Sequence, residues 1–345
     1  MVWRARRSIH RVTHHTIAIH HVGQVLQGAE RRGVATAPLL QRAGIPEALM
    51  EAPLARVSQE QYARLLRVVQ RALRDEFWGL CSRPLRLGSF AQCCRLLIHT
   101  PTVAEALRVG FRYFHGELPD FVARLGVADG LATVRIVTPL PPDPSLLYAE
   151  RTFLFFTFGV SSWLAARRIP LLHVDYRGAP PPNVAETARV FQAKLRYGQP
   201  HFGLSFDARW LQLPIVQNKQ TLREFLQQAP ANLLVKYRDK TSITERIRRL
   251  LRSHLRGEMP SLDEVSRVLG MTPQTLRRRM QEEGQGFQSL KDHLRRDAAI
   301  EYLARPDMTL LDIADQLGFS EASTFHRAFK KWTGVAPGEY RQRHR

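Results

Sequence analysis

The sequence is poor in cysteine, the residue that builds disulfide frameworks. Its 345 residues include three cysteines, Cys81, Cys93 and Cys94, an odd number without metal-ligand spacing. Adjacent cysteines rarely pair, and the apolar neighbours Phe90 and Leu96–Ile98 mark Cys93 and Cys94 as buried thiols in a reducing compartment. No apolar run is long enough to span a bilayer. The best, Phe153 to Ala166, is interrupted by Gly159, Ser161 and Ser162, is bracketed by Arg151 and Arg167, and reads as a core helix. The basic start, Met1 to Arg11, lacks the apolar stretch of a secretory signal, so residues 1–15 are expected to be a disordered tail on a cytoplasmic chain. Glycine-rich phosphate loops and nucleophile elbows are missing as well. The spacings of His14, His15, His20 and His21 do not stack on one helix face as metal ligands would, while His99, His115 and His173 are isolated. An enzyme is therefore not expected, and neither is a metal or cofactor.

Acidic residues are in deficit too, 31 Asp+Glu against 51 Lys+Arg for a net charge of +20. That balance suits a phosphate-bearing partner or a membrane surface. The excess is spread along the chain, however, with Arg far outnumbering Lys, and charge alone selects no partner. What is present is a normal hydrophobic fraction of 44%, enough to bury a core in each of two domains.

The first 215 residues alternate between helical and strand periods. Helices are expected over Thr16–Ala29, Val34–Ala43, a stretch opened by the Ser58–Gln61 capping pattern, Phe90–Ile98, Thr102–His115, Leu146–Ala166 and Val184–Ala193. Strands are expected over Asp120–Leu125 and Leu131–Val137, joined across an Asp-Gly turn, and over Leu171–Tyr176 and Gly203–Phe206. The fold class is thus an α+β N-terminal domain, residues 16–215, ahead of an all-α C-terminal domain, residues 242–345. A linker over 216–241 carries a short helix at Lys219–Gln228.

The C-terminal domain contains a duplication. Leu262-Asp-Glu-Val-Ser-Arg-Val-Leu-Gly-Met-Thr272 is echoed by Leu310-Leu-Asp-Ile-Ala-Asp-Gln-Leu-Gly-Phe-Ser320, with Val265, Leu269 and Gly270 matching Ile313, Leu317 and Gly318. Beyond the turn the register slips by one, pairing Leu276 with Phe325, Arg278 with Arg327 and Met280 with Phe329, and the extra residue is expected just inside the second helix. Each unit carries the parts of a helix-turn-helix. Ser261 with Glu264, and Thr309 with Asp312, start the first helices. Ser266 and Ala314 permit a close crossing, and Gly270 and Gly318 accept the positive φ of the turn. Thr272 and Ser320 are expected to cap the second helices, with Pro273 at a first helical position that needs no N–H donor.

With Leu276, Met280, Phe325 and Phe329 turned inward, the outward faces present Gln274, Thr275, Arg277, Arg278 and Gln281 in the first unit, and Ser323, Thr324, His326, Arg327 and Lys330 in the second. Arginine grips guanine O6 and N7 with two bonds, glutamine does the same for adenine, and hydroxyls reach bases or phosphates. Phe287, Leu290, Leu294, Ala298 and Leu303 then define one long helix between the units, ended by Pro306. It would hold both recognition helices on one face of double-stranded DNA, one turn or about 34 Å apart.

Together with Phe325-x-x-Ala-Phe329, Trp332 and Gly334-x-x-Pro337-x-x-Tyr340-Arg341, this stretch resembles the AraC/XylS family of bacterial transcription regulators over Thr244 to Arg343. The resemblance implies base contacts from Gln274, Arg277 and Arg278, then from Ser323, His326 and Arg327, and a packing role for Gly334 to Arg341. Phe206-Asp-Ala-Arg-Trp-Leu-Gln-Leu-Pro214 is similar to the close of the effector domain labelled arabinose-binding-like in part of this family. The implied partners are promoter DNA, a small-molecule effector, a second copy of the chain and RNA polymerase. Phe111, Tyr113, Phe114, Phe153, Phe155 and Phe156 are candidates to line an effector pocket, against a competing role in core packing. A purely architectural, ligand-independent dimer is the alternative, with an enzyme tethered to DNA behind it.

Overall fold

The computed structural model of the chain describes residues 16–141, 143–180, 191, 193–228, 233, 243–255, 257–283, 285–305 and 307–342. The expected tail, the expected helix over 184–193 (apart from Phe191 and Ala193) and most of the segment after Gln228 lie outside them.

The N-terminal part opens on a strand. β1 (Thr16–Ala18) pairs antiparallel with β2 (Arg56–Ser58), Ile17 opposite Val57, and α1 starts only at Ile19 and runs to Arg31. The helix expected from Thr16 is therefore too long at its start. The first three residues bond to a strand some forty residues away, a partnership that local periodicity does not report.

α2 (Thr36–Ala43) and α3 (Gln59–Leu73) follow, the latter held by the Ser58–Gln61 capping box in which each partner's side chain bonds the other's backbone N–H. Tyr62, Leu65, Leu66 and Val69 recur at the spacing of one helix face, and all are buried. Each such aliphatic side chain stabilises the fold by about 1.5–3 kcal/mol relative to exposure. α4 (Ser89–Leu97) and α5 (Val103–Glu117) pack on each other, and Thr102 caps α5 as expected. α6 (Pro144–Leu164) is capped by Asp143 and buries Phe153, Leu154, Phe158 and Leu164, the expected core helix. No helix among the described residues is long and apolar enough to cross a membrane.

The sheet is ordered β3-β4-β7-β5-β6, with β3 (Val122–Ala128), β4 (Leu131–Val137), β5 (Leu171–Asp175), β6 (Lys194–Arg196) and β7 (Gly203–Asp207). All pairs are antiparallel except β5–β6. The β3–β4 hairpin closes with Ala128 opposite Leu131, and Asp129 and Gly130 both take positive φ, the geometry an Asp-Gly hairpin turn demands. β6 was not expected: three residues with charged ends carry no strand signal.

α7 (Lys219–Gln228) returns to the N-terminal part, burying Leu222 and Phe225 against α4 and stacking Phe225 on Trp163 with ring centroids 4.2 Å apart. The remaining elements are helices: α8 (Ile243–Ser253), α9 (Leu262–Val268), α10 (Pro273–Glu282), α11 (Phe287–Leu303), α12 (Leu310–Gln316), α13 (Ala322–Thr333) and α14 (Pro337–Gln342).

The two parts meet over a polar seam in which β2 packs on α11. Arg56 donates from Nε to the Thr16 hydroxyl (2.7 Å) and from Nη2 to the Thr16 carbonyl (2.7 Å), while Thr16 Oγ1 donates to Asp297 Oδ1 (2.6 Å). Arg296 donates to the same Asp297 oxygen (2.9 Å), and the Tyr340 hydroxyl bonds the Arg56 carbonyl. Arg56, Asp297 and Tyr340 are all buried.

Candidate nucleic-acid interface

The duplicated sequence folds as two helix-turn-helix units, α9–α10 and α12–α13. Both first helices carry full capping boxes, Ser261 with Glu264 and Thr309 with Asp312. Hydrogen bonds from Ser261 hold the Glu264 carboxyl below its ordinary value of 4.5, and the Thr309 hydroxyl and N–H do the same for Asp312 below 3.8. A depressed folded-state pKa stabilises the fold above the ordinary value, and that contribution is lost as pH falls through the folded one. The double variant Glu264→Gln/Asp312→Asn is therefore expected to melt below the native chain at neutral pH. The gap should close on acidification through the carboxylate range, as pH-dependent melting curves would show; a constant gap would remove the ionised caps as its cause.

Ser266 and Ala314 are buried at the two crossings, and Gly270 and Gly318 have φ of 65° and 69°. The second helices differ in their starts. Thr272 caps α10, its hydroxyl accepting from the Thr275 N–H at 3.2 Å, and Pro273 occupies the first turn. Ser320 does not cap α13. The N-cap is Glu321, without a side-chain cap bond, although its carboxylate accepts from the Ser323 hydroxyl at 3.0 Å. The one-residue slip thus falls in the turn, not inside the second helix. Placing the extra residue before the helix lets Phe325 and Phe329 reach the core as Leu276 and Met280 do, and all four are buried.

The structure brings the expected polar residues to the opposite face. Gln274, Arg277, Arg278 and Gln281 are exposed on α10, with Thr275 half-buried and its hydroxyl accepting from Thr272 at 2.9 Å. On α13, Ser323, Arg327 and Lys330 are exposed and Thr324 and His326 half-buried, with Arg327 Nη2 donating to the Thr324 hydroxyl at 3.4 Å. Arg279 is exposed beside Arg278, a cation that the comparison of the two units passed over because its counterpart is Ala328.

α11 fixes the units to each other. Lys291 Nζ donates to the carbonyls of Met259 (3.1 Å) and Pro260 (3.2 Å) at the approach to α9. One turn on, Arg295 Nε donates to the Leu317 carbonyl (3.1 Å) in the second turn, its guanidinium 5.2 Å over the Phe319 ring. Burial pushes both pKa values down, and the carbonyl bonds engage both cations within the fold. Tyr340, buried against Phe329, gives the Gly334–Arg341 stretch its packing role.

The N-terminal part holds an apolar cavity of about 320 Å³, partly open to solvent, between α3, α4, α5 and α6, inside the range of small-molecule sites. Of the aromatics expected to line one, Phe111, Phe114, Phe153 and Phe156 do. Tyr113 packs edge-on against Phe114, and Phe155 against Phe191. Sequence reasoning missed Phe90, on α4, and Phe77 and Trp78, which lie where buried Asp75 folds the connection after α3: its carboxylate accepts the N–H groups of Phe77, Gly79 and Leu85, each at 2.8 Å. Cys93 and Cys94 also line it. All three cysteines are buried, and burial pushes their thiols up, Cys93 to about 12.

Comparison with known proteins accounts for both halves. Residues 33–215 match the arabinose-binding domain of AraC transcription regulators, an N-terminal domain, and residues 265–343 match a helix-turn-helix domain. The ornithine utilization regulator of Pseudomonas aeruginosa is 26% identical over 312 residues, covering 90% of this chain and 91% of that protein. The helix-turn-helix transcriptional regulator VirS of Mycobacterium tuberculosis is 26% identical over 319 residues, covering 88% and 90%. The solved transcriptional regulator CdpR of Pseudomonas aeruginosa aligns with 93% of this chain and 98% of its own at 19% identity and a TM-score of 0.29. The chain belongs to the AraC family of transcription regulators, with an arabinose-binding-like domain ahead of a DNA-binding domain of two helix-turn-helix units.

Proposed function

We propose that residues 242–345 read an asymmetric operator through Gln274, Thr275, Arg277 and Arg278 of one unit and Ser323, Thr324, His326, Arg327 and Lys330 of the other. Residues 16–215 would bind a small-molecule effector, with 216–241 as the connection. The observation that carries this reading is the pair of second helices in matching settings, each with its apolar face buried and its polar face exposed, braced by one helix. α10 offers more bidentate donors than α13, so the first unit supplies most of the base discrimination and the second adds affinity and register. The cavity favours an effector over a ligand-free architectural role. In the same reading the regulator works in the cytoplasm, as a homodimer that contacts RNA polymerase at the promoter.

Arg278→Ala is expected to lose about 1–3 kcal/mol on the operator and to relax preference at one base pair. Binding to a library of single-base operator variants measures both. Equal weakening on every sequence would put Arg278 on phosphate and remove its base-reading role.

A further inference from the structure

The cavity has chemistry that narrows its ligand. Phe77, Phe111, Phe114, Phe153, Phe156 and Leu226 give it an apolar body. Three polar side chains line it from a single element, Arg67, Gln70 and Arg71 on α3, at the three- and four-residue spacings that share a helix face. Arg67 is half-buried and Arg71 exposed, which places them at the solvent end of the apolar space. Among the described residues neither side chain makes an ion pair or hydrogen bond. The acid that also lines the cavity, Glu76, is already engaged: its two oxygens accept the N–H groups of Gly88 and Phe90, both at 2.7 Å. Two adjacent cations without a direct counter-ion among the described residues, at a pocket of aromatic and aliphatic walls, match a molecule with an anionic head and a hydrocarbon body. Guanidinium forks favour a planar, bidentate anion.

We infer that this cavity binds an amphiphilic carboxylate, its carboxylate held by Arg67 and Arg71 and its hydrocarbon chain among the phenylalanines. This rests on reading the N-terminal domain as the effector site and adds the ligand's chemical class. Leu226, on α7, and Leu233, which is buried, also line the cavity. The chain then runs on to Ile243, the start of α8, where the Ile243 and Thr244 N–H groups donate to the two oxygens of Glu283, both at 2.9 Å. Glu283 directly follows recognition helix α10. Leu226 and Leu233 thus precede the DNA reader along the chain, and a hydrocarbon chain filling the cavity presses on these two side chains.

The test is calorimetric titration of the full chain with straight-chain carboxylates from hexanoate to hexadecanoate and with the alcohols of equal length. Affinity is expected to rise about three- to fourfold per methylene until the cavity is filled, and each carboxylate to bind at least tenfold more tightly than its alcohol. In Arg67→Gln/Arg71→Gln, substitutions at half-buried and exposed positions, that preference should fall to within twofold while the chain-length dependence persists. Thr157→Trp, which fills the cavity from α6, should abolish binding of the longer members in a chain whose melting curve remains cooperative. Equal binding of acids and alcohols, a preference untouched by the double arginine variant, or no saturable binding at any length would overturn the assignment. Parallel measurements on a selected operator fragment separate it from the effector reading. Carboxylate binding that leaves operator affinity unchanged keeps the ligand class and removes the effector role. An operator response to some other metabolite, with no carboxylate bound, does the reverse.

Discussion

Gly318→Ala is expected to disable the second helix-turn-helix unit, and Gly270→Ala to be markedly milder, although the two glycines occupy the same place in the repeat. Both hold positive φ, 69° and 65°, and an alanine there costs about 1–3 kcal/mol in backbone strain at either site. The surroundings differ. A Cβ at Gly270 meets nothing within 4 Å, whereas one at Gly318 runs into the Gly257 carbonyl oxygen and lies 2.8 Å from its carbon. The obstacle is backbone, so the segment between α8 and α9 has to move, which adds about 1–3 kcal/mol of overpacking. The same turn holds the Leu317 carbonyl that Arg295 grips, so its displacement also loosens the brace between the units. The expected result is a lower denaturant midpoint for Gly318→Ala than for Gly270→Ala, with a larger loss of operator affinity. Equal midpoints would mean that the Gly257 contact yields freely and that backbone strain alone governs the turn.

That difference also shows what the sequence could and could not disclose. The helix-turn-helix units were legible because their determinants are local: a capping pair three residues apart, a glycine after the last apolar position, and an apolar pair facing in. The close approach of Gly318 to Gly257 was not, since the two lie far apart along the chain and nothing in either's neighbours encodes the contact. The slip in register was visible in the alignment of the two units, but Ser320 looked as good a cap as Thr272. Only the demand that Phe325 be buried moves the helix start past Glu321. In the N-terminal domain the hairpin followed from its Asp-Gly turn, while β1, β2 and β6 are three residues each, too short for alternation to register. The cavity's aromatics were half legible. Helical spacing groups Phe111 with Phe114 and Phe153 with Phe156, yet the entry of Trp78 depends on Asp75 gathering three backbone amides.

The most consequential residue that local pattern gave no reason to notice is Asp297, on the helix that braces the two DNA-reading units. Asp297→Ala is expected to destabilise the full chain by about 3–5 kcal/mol, the order of cost of breaking one buried ion pair. The Arg296 guanidinium, which donates to Asp297 Oδ1 at 2.9 Å, and the Thr16 hydroxyl, at 2.6 Å, both lose their acceptor. Arg56, buried at 9% exposure, then shares the seam with a second cation and without the Asp297 carboxylate. Thr16→Val, which removes two hydrogen bonds but no charge, should cost less, about 1–3 kcal/mol. The larger loss falls on the junction where β2 meets α11, so the two parts should cease to unfold together. Denaturant titration is expected to show one transition for the native chain and two for Asp297→Ala, with the helical C-terminal part and the N-terminal part resolved. Because the seam joins the first strands of the cavity-bearing part to the helix carrying both recognition units, its rupture should also make operator affinity insensitive to any ligand of the cavity. A single transition at the native midpoint would show that the seam carries neither stability nor coupling, and would leave the connection through Leu233 and Ile243 as the route between the halves.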